Sequence, residues 1–357
     1  MPRIAGAFIV MAIVIAAVVI ARSQAGAERP GKIAEMVSKQ FAQAPRGSLR
    51  PEAVLAIAPG KSNTSTASVP RKLSPDFEEM LASPTFGPLF TRLSSIPARN
   101  AEQQWMLGRI LYRCGRIETQ RPSGTNASFK PPSYDEARAK FIASLDPDDP
   151  DYGKRVASFD AASWDRCEGV SEARVTHDEW RALLQSAADG GSPRAKVDLV
   201  RDDLLENTRA RARSGQYGPG AIASEQVEAL KQAVMSGDPY AIENGTDLMA
   251  NPYGNFSLRD ARGQVVDSEA FRDAGLFLAC DAGYPCKESQ RIQQACALVG
   301  QCAADNIRDF IMYYNASPYM SQQIAQYQQA LGAAVARGDW SGFRFNPGPQ
   351  TFPGRIR

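Results

Sequence analysis

From residue 74 onward, apolar side chains return every three or four positions, the period of an amphipathic helix. This pattern predicts helices over 75–82, 98–115, 152–165, 193–210, 224–236, 238–249, 268–281, 288–299, 303–314 and 319–336. Two more are expected behind Ser133 and Thr176, where Ser133-Tyr134-Asp135-Glu136 and Thr176-His177-Asp178-Glu179 have capping-box spacing. Ser74-Pro75 reads as an N-cap followed by proline at the first helical position. No run alternates apolar and polar residues for long enough to make a strand; Val265-Val266 comes nearest and is too short. The expected fold class is therefore all-α.

Three segments share a spacing. Residues 229–238 read ALKQAVMSGD, 330–339 read ALGAAVARGD, and 182–191 read ALLQSAADGG, a near match. Small residues on one face let two helices approach closely, and a glycine after the last turn can take the left-handed cap conformation. A second helix then opens at Pro193 and at Pro239. One such pair cannot bury its apolar stripe alone, so pairs of this kind stack.

The stretch LLQSAADGGSPRAKVDL, residues 183–199, resembles Sel1-like repeats, relatives of tetratricopeptide repeats. Residues 230–248 are a weaker match, and Trp105-Met106-Leu107-Gly108-Arg109-Ile110-Leu111-Tyr112 is similar to the Leu-Gly-x-x-Tyr part of such a repeat's second helix. The first two patterned segments start 47 residues apart, longer than a regular unit. The resemblance implies an irregular right-handed αα-hairpin repeat, solenoid-like, that binds other proteins; it brings no catalytic residues. The cysteine-rich C-terminal part also resembles exported gamma-proteobacterial proteins of unassigned function.

The N-terminal region indicates export. After Met1-Pro2-Arg3-Ile4, residues 5–21 run without a charge, and Arg22 ends the run. Ala25-Gly26-Ala27 offers a signal-peptide cleavage site. The rival expectation is an uncleaved transmembrane anchor, spanning about 25 Å and touching the membrane only through residues 5–21. The expected organisation is 1–27 signal peptide or anchor, 28–73 linker with one short helix, 74–262 degenerate helical repeats, 263–338 cysteine-rich helical part and 339–357 a Gly/Pro/aromatic tail. The six cysteines, Cys114, Cys167, Cys280, Cys286, Cys296 and Cys302, suit an oxidising compartment and three disulfides. A helical hairpin about Gly283-Tyr284-Pro285 favours Cys280–Cys296 and Cys286–Cys302, leaving Cys114–Cys167 as a long-range staple. The expected location is the periplasm, the extracellular face of the inner membrane, or the exterior.

Lys plus Arg number 41 and Asp plus Glu 39, a balance that argues against a nucleic-acid partner. His177 is the only histidine, so any His-based zinc site or hydrolytic triad must use it. It follows the Thr176 cap and reads as a surface structural residue. The acidic run 146–151 reads as a solvated turn, because it lacks the register and closing glutamate of a calcium loop. Glu168 and Glu243 are each candidates for half of a glycosidase carboxylate pair. Candidate partner-binding residues are Tyr313, Tyr314, Tyr319, Met320, Tyr327 and Trp340, large side chains favoured at recognition surfaces. No cofactor, metal or catalytic residue is assigned. The leading expectation is an exported scaffold binding another envelope protein, with peptidoglycan a second candidate partner. The rivals are a carboxylate-dependent cell-wall glycan hydrolase and a membrane-tethered structural protein.

Overall fold

The computed structural model describes residues 73–118, 134–162, 166–170, 173–215, 222–250, 256–287 and 289–347. The run 5–21, the linker, Ser133 and the last ten residues lie outside them, as does everything expected of those segments. Among the described residues no helix is long and apolar enough to cross a membrane. The transmembrane expectation is corrected accordingly and is not carried forward.

The protein is all-α and largely irregular, with three disulfides. Its helices in chain order are α1 (Pro75–Ala82), α2 (Gly87–Ser95), α3 (Ala101–Cys114), α4 (Tyr134–Ser144), α5 (Tyr152–Ala162), α6 (His177–Asp189), α7 (Pro193–Arg213), α8 (Ser224–Met235), α9 (Pro239–Met249), α10 (Ser268–Asp281), α11 (Gln290–Val299), α12 (Ile307–Phe310) and α13 (Pro318–Arg337). A π-helical turn, Ile311–Asn315, follows α12. Two small strand pairs join distant segments. β1 (Arg116–Glu118) runs parallel to β2 (Arg174–Thr176), and β3 (Phe256–Asp260) runs antiparallel to β4 (Phe343–Pro347).

Local chemistry sets the helix starts. Ser74 Oγ accepts from the Phe77 amide at 3.2 Å, with Pro75 filling a position whose amide needs no partner. Thr176 and Glu179 form the reciprocal capping box. Helix ends follow the glycines of the shared pattern: Gly191, Gly237 and Gly338 have φ of 90°, 71° and 70°. A side chain would be strained in this left-handed region, so glycine ends these helices cleanly. After Gly191 and Gly237 the chain turns straight into α7 and α9. Asp238, from the Gly-Asp of the pattern, caps α9 through the Ala241 amide and also holds Arg194 Nε at 2.9 Å, tying one helical pair to the next.

Packing proceeds from neighbour to neighbour: α3 on α6, α6 on α7, α7 on α8, α8 on α9, α9 on α10 and α10 on α13. Small residues set the close approaches. Gly245 of α9 faces Val234 of α8, and Gly275 of α10 faces the fully buried Thr246 of α9. Two buried apolar clusters result. One gathers Phe77, Leu89, Trp105, Trp180 and Leu184; the other gathers Leu204, Leu230, Ile242, Phe271, Phe310 and Leu331. They divide within α7, which gives Leu199 to the first and Val200 to the second.

The disulfides are Cys114–Cys167, Cys280–Cys286 and Cys296–Cys302. The staple is as expected; the C-terminal pairing is corrected from crossed to local. Gly283, at φ 104°, reverses the chain after α10 and brings Cys286 back to a Cα distance of 5.7 Å from Cys280. Gly300, at φ 73°, does the same after α11 and brings Cys302 to 4.4 Å from Cys296.

The tail is docked as far as residue 347. Phe343 is buried edge-on against Phe271 with ring centroids 5.2 Å apart, and β4 completes the pair with β3.

Candidate functional site

Two regions concentrate chemistry: a polar cleft between α3, α6 and α7, and an exposed aromatic face near the C-terminal disulfides.

The cleft is small, with a cavity volume of about 10 Å³, room for one water, beside Arg109, Tyr112, Trp180, Asp198, Arg201 and Asp202. Its inner wall is a buried network centred on Asp198. The Asp198 carboxylate accepts from Trp105 Nε1 at 2.8 Å, from Tyr240 Oη at 3.0 Å and from Arg201 at 2.8 Å, with Arg109 at 3.6 Å. Arg201 reaches on to Asn244 Oδ1 at 2.8 Å. An ionised carboxylate only accepts, and donors surround this one, so its burial is compensated. Burial and the Asp198 charge push the Tyr240 phenol well above its ordinary range, which keeps it a donor.

Glu243 lies at the far edge of this network. Burial, reinforced by Asp247 one turn along α9, pushes its carboxyl up to about 7. Its side chain bonds Asn244. Burial likewise raises the phenol of Tyr284, with Glu243 adding to the effect. Glu168, the other sequence candidate, lies with its backbone against Gly87 at the start of α2. The two glutamates thus have separate surroundings, and neither lines the cleft.

At the outer end of the cleft, His177 Nε2 is 3.0 Å from Asp202 Oδ1. Arg181 holds Asp202 Oδ2 and Asp203 Oδ1, each at 2.5 Å. The acidic run 146–151 is a turn: Asp146 accepts from the Asp148 amide, and Asp149 pairs with Arg155 at 2.8 Å.

The six aromatic and Met candidates separate. Tyr313 and Tyr319 are exposed, at 60% and 69%. Tyr314 is half-buried, and its hydroxyl accepts from the Ala303 amide at 3.1 Å. Met320 packs on the core, and Tyr327 is buried against Phe271 with its hydroxyl accepting from the Asp267 amide. Trp340 packs on Phe343 and Phe345, with Nε1 at 3.1 Å from Met235 Sδ. Three more large apolar residues of the C-terminal part are exposed: Leu298, Val299 and Met312. Leu298 and Val299 lie inside the loop closed by Cys296–Cys302. Ala303, the residue after that loop, donates its amide to Tyr314 of the 311–315 turn. The sequence signal for them was Leu298-Val299 running up to the helix-ending Gly300, more apolar surface than a helix end needs.

The chain matches no protein-family model, no curated protein and no solved structure.

Proposed function

We propose that the chain is an exported, solenoid-like stack of right-handed αα-hairpins of the Sel1-like kind, which binds another cell-envelope protein. The binding face is Leu298, Val299, Met312, Tyr313 and Tyr319. One observation carries this reading: five large apolar side chains of the C-terminal part stand 41% to 69% exposed, Leu298 and Val299 in the loop closed by Cys296–Cys302, Met312 and Tyr313 in the 311–315 turn, and Tyr319 in the first turn of α13. Apolar surface of this kind on a folded body marks interaction sites, and tyrosine gives large contact area with few rotatable bonds. The Cys296–Cys302 bridge limits the entropy lost on binding. Pairing of all six cysteines supports an oxidising compartment. The near-balanced charge supports apolar over electrostatic recognition.

The test is co-purification from the envelope, comparing the parent chain with Tyr313→Ser/Tyr319→Ser. The expected result is one protein retained in near-stoichiometric amount by the parent and lost from the variant, with unchanged circular dichroism. Equal retention by both removes this face from the account.

A carboxylate-dependent hydrolase of cell-wall glycan is the second reading. It draws on Glu243, whose carboxyl titrates near 7, with Asp247 beside it. Release of soluble fragments from purified peptidoglycan by the parent chain, abolished in Glu243→Gln, would replace the scaffold reading.

A further inference from the structure

We propose that His177, Asp202 and Glu206 bind a divalent transition-metal ion at the outer end of the cleft. One imidazole nitrogen and one oxygen from each carboxylate lie within 4.8 Å of one another.

The fold builds this juxtaposition from two adjacent elements. Asp202 and Glu206 are four residues apart on α7, so they project from one face one turn apart. His177 opens α6, which the short turn after Gly191 folds back onto α7. His177 Nε2 and Asp202 Oδ1 are 3.0 Å apart. Two ligands at about 2.0–2.1 Å from a tetrahedral ion stand roughly 3.3 Å apart, so the pair needs little rearrangement.

Supporting contacts orient the ligands. Arg181 occupies the other Asp202 oxygen, Oδ2, at 2.5 Å. Arg209 holds Glu206 Oε1 at 2.6 Å, and Arg213 stands 3.7 Å from Oε2, the oxygen with the looser partner. The His177 ring lies against Trp180, with centroids 5.5 Å apart. Asp202 is 5% exposed, Glu206 35% and His177 25%, so the site has a buried floor and an open side. That side leaves coordination positions for water.

The donor set selects the ion. An imidazole with two carboxylates suits zinc, manganese or iron, whereas magnesium and calcium take oxygen ligands. Two carboxylates and a neutral imidazole match the charge of a divalent ion. The metal would take the Nε2 lone pair, with the single proton of the neutral ring on Nδ1. The three arginines compete for the carboxylates, so the affinity is lower than that of a structural zinc centre.

The test uses the full, oxidised chain without a polyhistidine tag. Because His177 is the only histidine, a sample labelled at the histidine ring carbon gives one imidazole signal. The expected result is that one equivalent of zinc chloride moves that signal, while the same concentration of magnesium chloride does not. Glu206→Gln is expected to weaken zinc binding at least tenfold in calorimetry, with an unchanged melting temperature before metal is added. His177→Gln is expected to do the same. A signal unmoved by zinc, an equal shift with magnesium, or full affinity in Glu206→Gln each overturns the proposal.

Discussion

Gly275→Ala isolates the packing on which the stack depends. Gly275 lies in the buried face of α10, against Thr246 of α9. A methyl group added there would overlap Thr246 Oγ1 and stand 2.5 Å from its Cβ. Carbon atoms in contact sit about 3.5–4.0 Å apart, so the helices must separate by roughly 1 Å or more. Thr246 cannot swing clear, because its hydroxyl is held by the Ile242 carbonyl at 2.7 Å. Separation on this side also disturbs α8, whose Val234 lies against Gly245. Overpacking costs about 1–3 kcal/mol, and this overlap belongs at or above the upper end. Alanine recovers about 1 kcal/mol over glycine through helix propensity. The net expectation is a loss of about 2 kcal/mol. Urea unfolding with the disulfides intact measures it as a fall in midpoint at constant slope. Thr246→Gly in the same chain removes the obstacle, and the double variant should recover about 2 kcal/mol relative to additivity. A Gly275→Ala protein within about 0.5 kcal/mol of the parent, or no coupling in the cycle, refutes the close α9–α10 approach.

Asp198→Asn leaves Arg201 and Arg109 facing a neutral group in a buried network; a loss of about 3–5 kcal/mol is expected in urea, and under 1 kcal/mol would mean the network is not closed. Burial raises the Glu243 carboxyl from 4.5 to about 7 and the Asp273 carboxyl from 3.8 to about 6, so the folded chain binds more protons than the unfolded one and stability falls as pH rises through these ranges. Among the described residues Asp273 Oδ2 is buried without a hydrogen-bond partner; Asp273→Asn should therefore raise the melting temperature at pH 8 and flatten the slope between about pH 4 and 6, whereas a lower melting temperature would show that the charge is needed. Trypsin cuts at Arg272, Lys287, Arg291 and Arg308, so a non-reducing digest should release 273–287 and 292–308 as separate peptides, each with an internal disulfide; one linked species would restore the crossed pairing.

Features that depend on the nearest residues were legible in the sequence. The ends of α1 and α10 match the expected 75–82 and 268–281, and the Thr176 cap is as read. Helix α2 was missed, because Gly87-Pro88 signals a turn as readily as a helix opening with proline in its first turn. The strand pairs were missed, since β1 and β2 have three residues each and are brought together by helices already packed. Asp198 reads as a solvated charge on α7; the only hint was that Trp105 and Tyr240, both destined for the core, need a polar partner. The metal-site geometry was half visible. Asp202 and Glu206 have the spacing of one helix face, but the approach of His177 depends on the hairpin closing. Exposure at Leu298 and Val299 depends on where α11 packs against α5, a contact between segments far apart in the chain.

The binding face is tested most directly by a photo-crosslinking residue placed at Tyr319 in intact cells, with Glu78, exposed on α1, a helix of the other buried cluster, as the control position. One dominant crosslinked protein is expected from position 319, absent from position 78 and lost when Tyr313 and Met312 are changed to serine. No protein adduct at 319, or the same adducts from both positions, would contradict it.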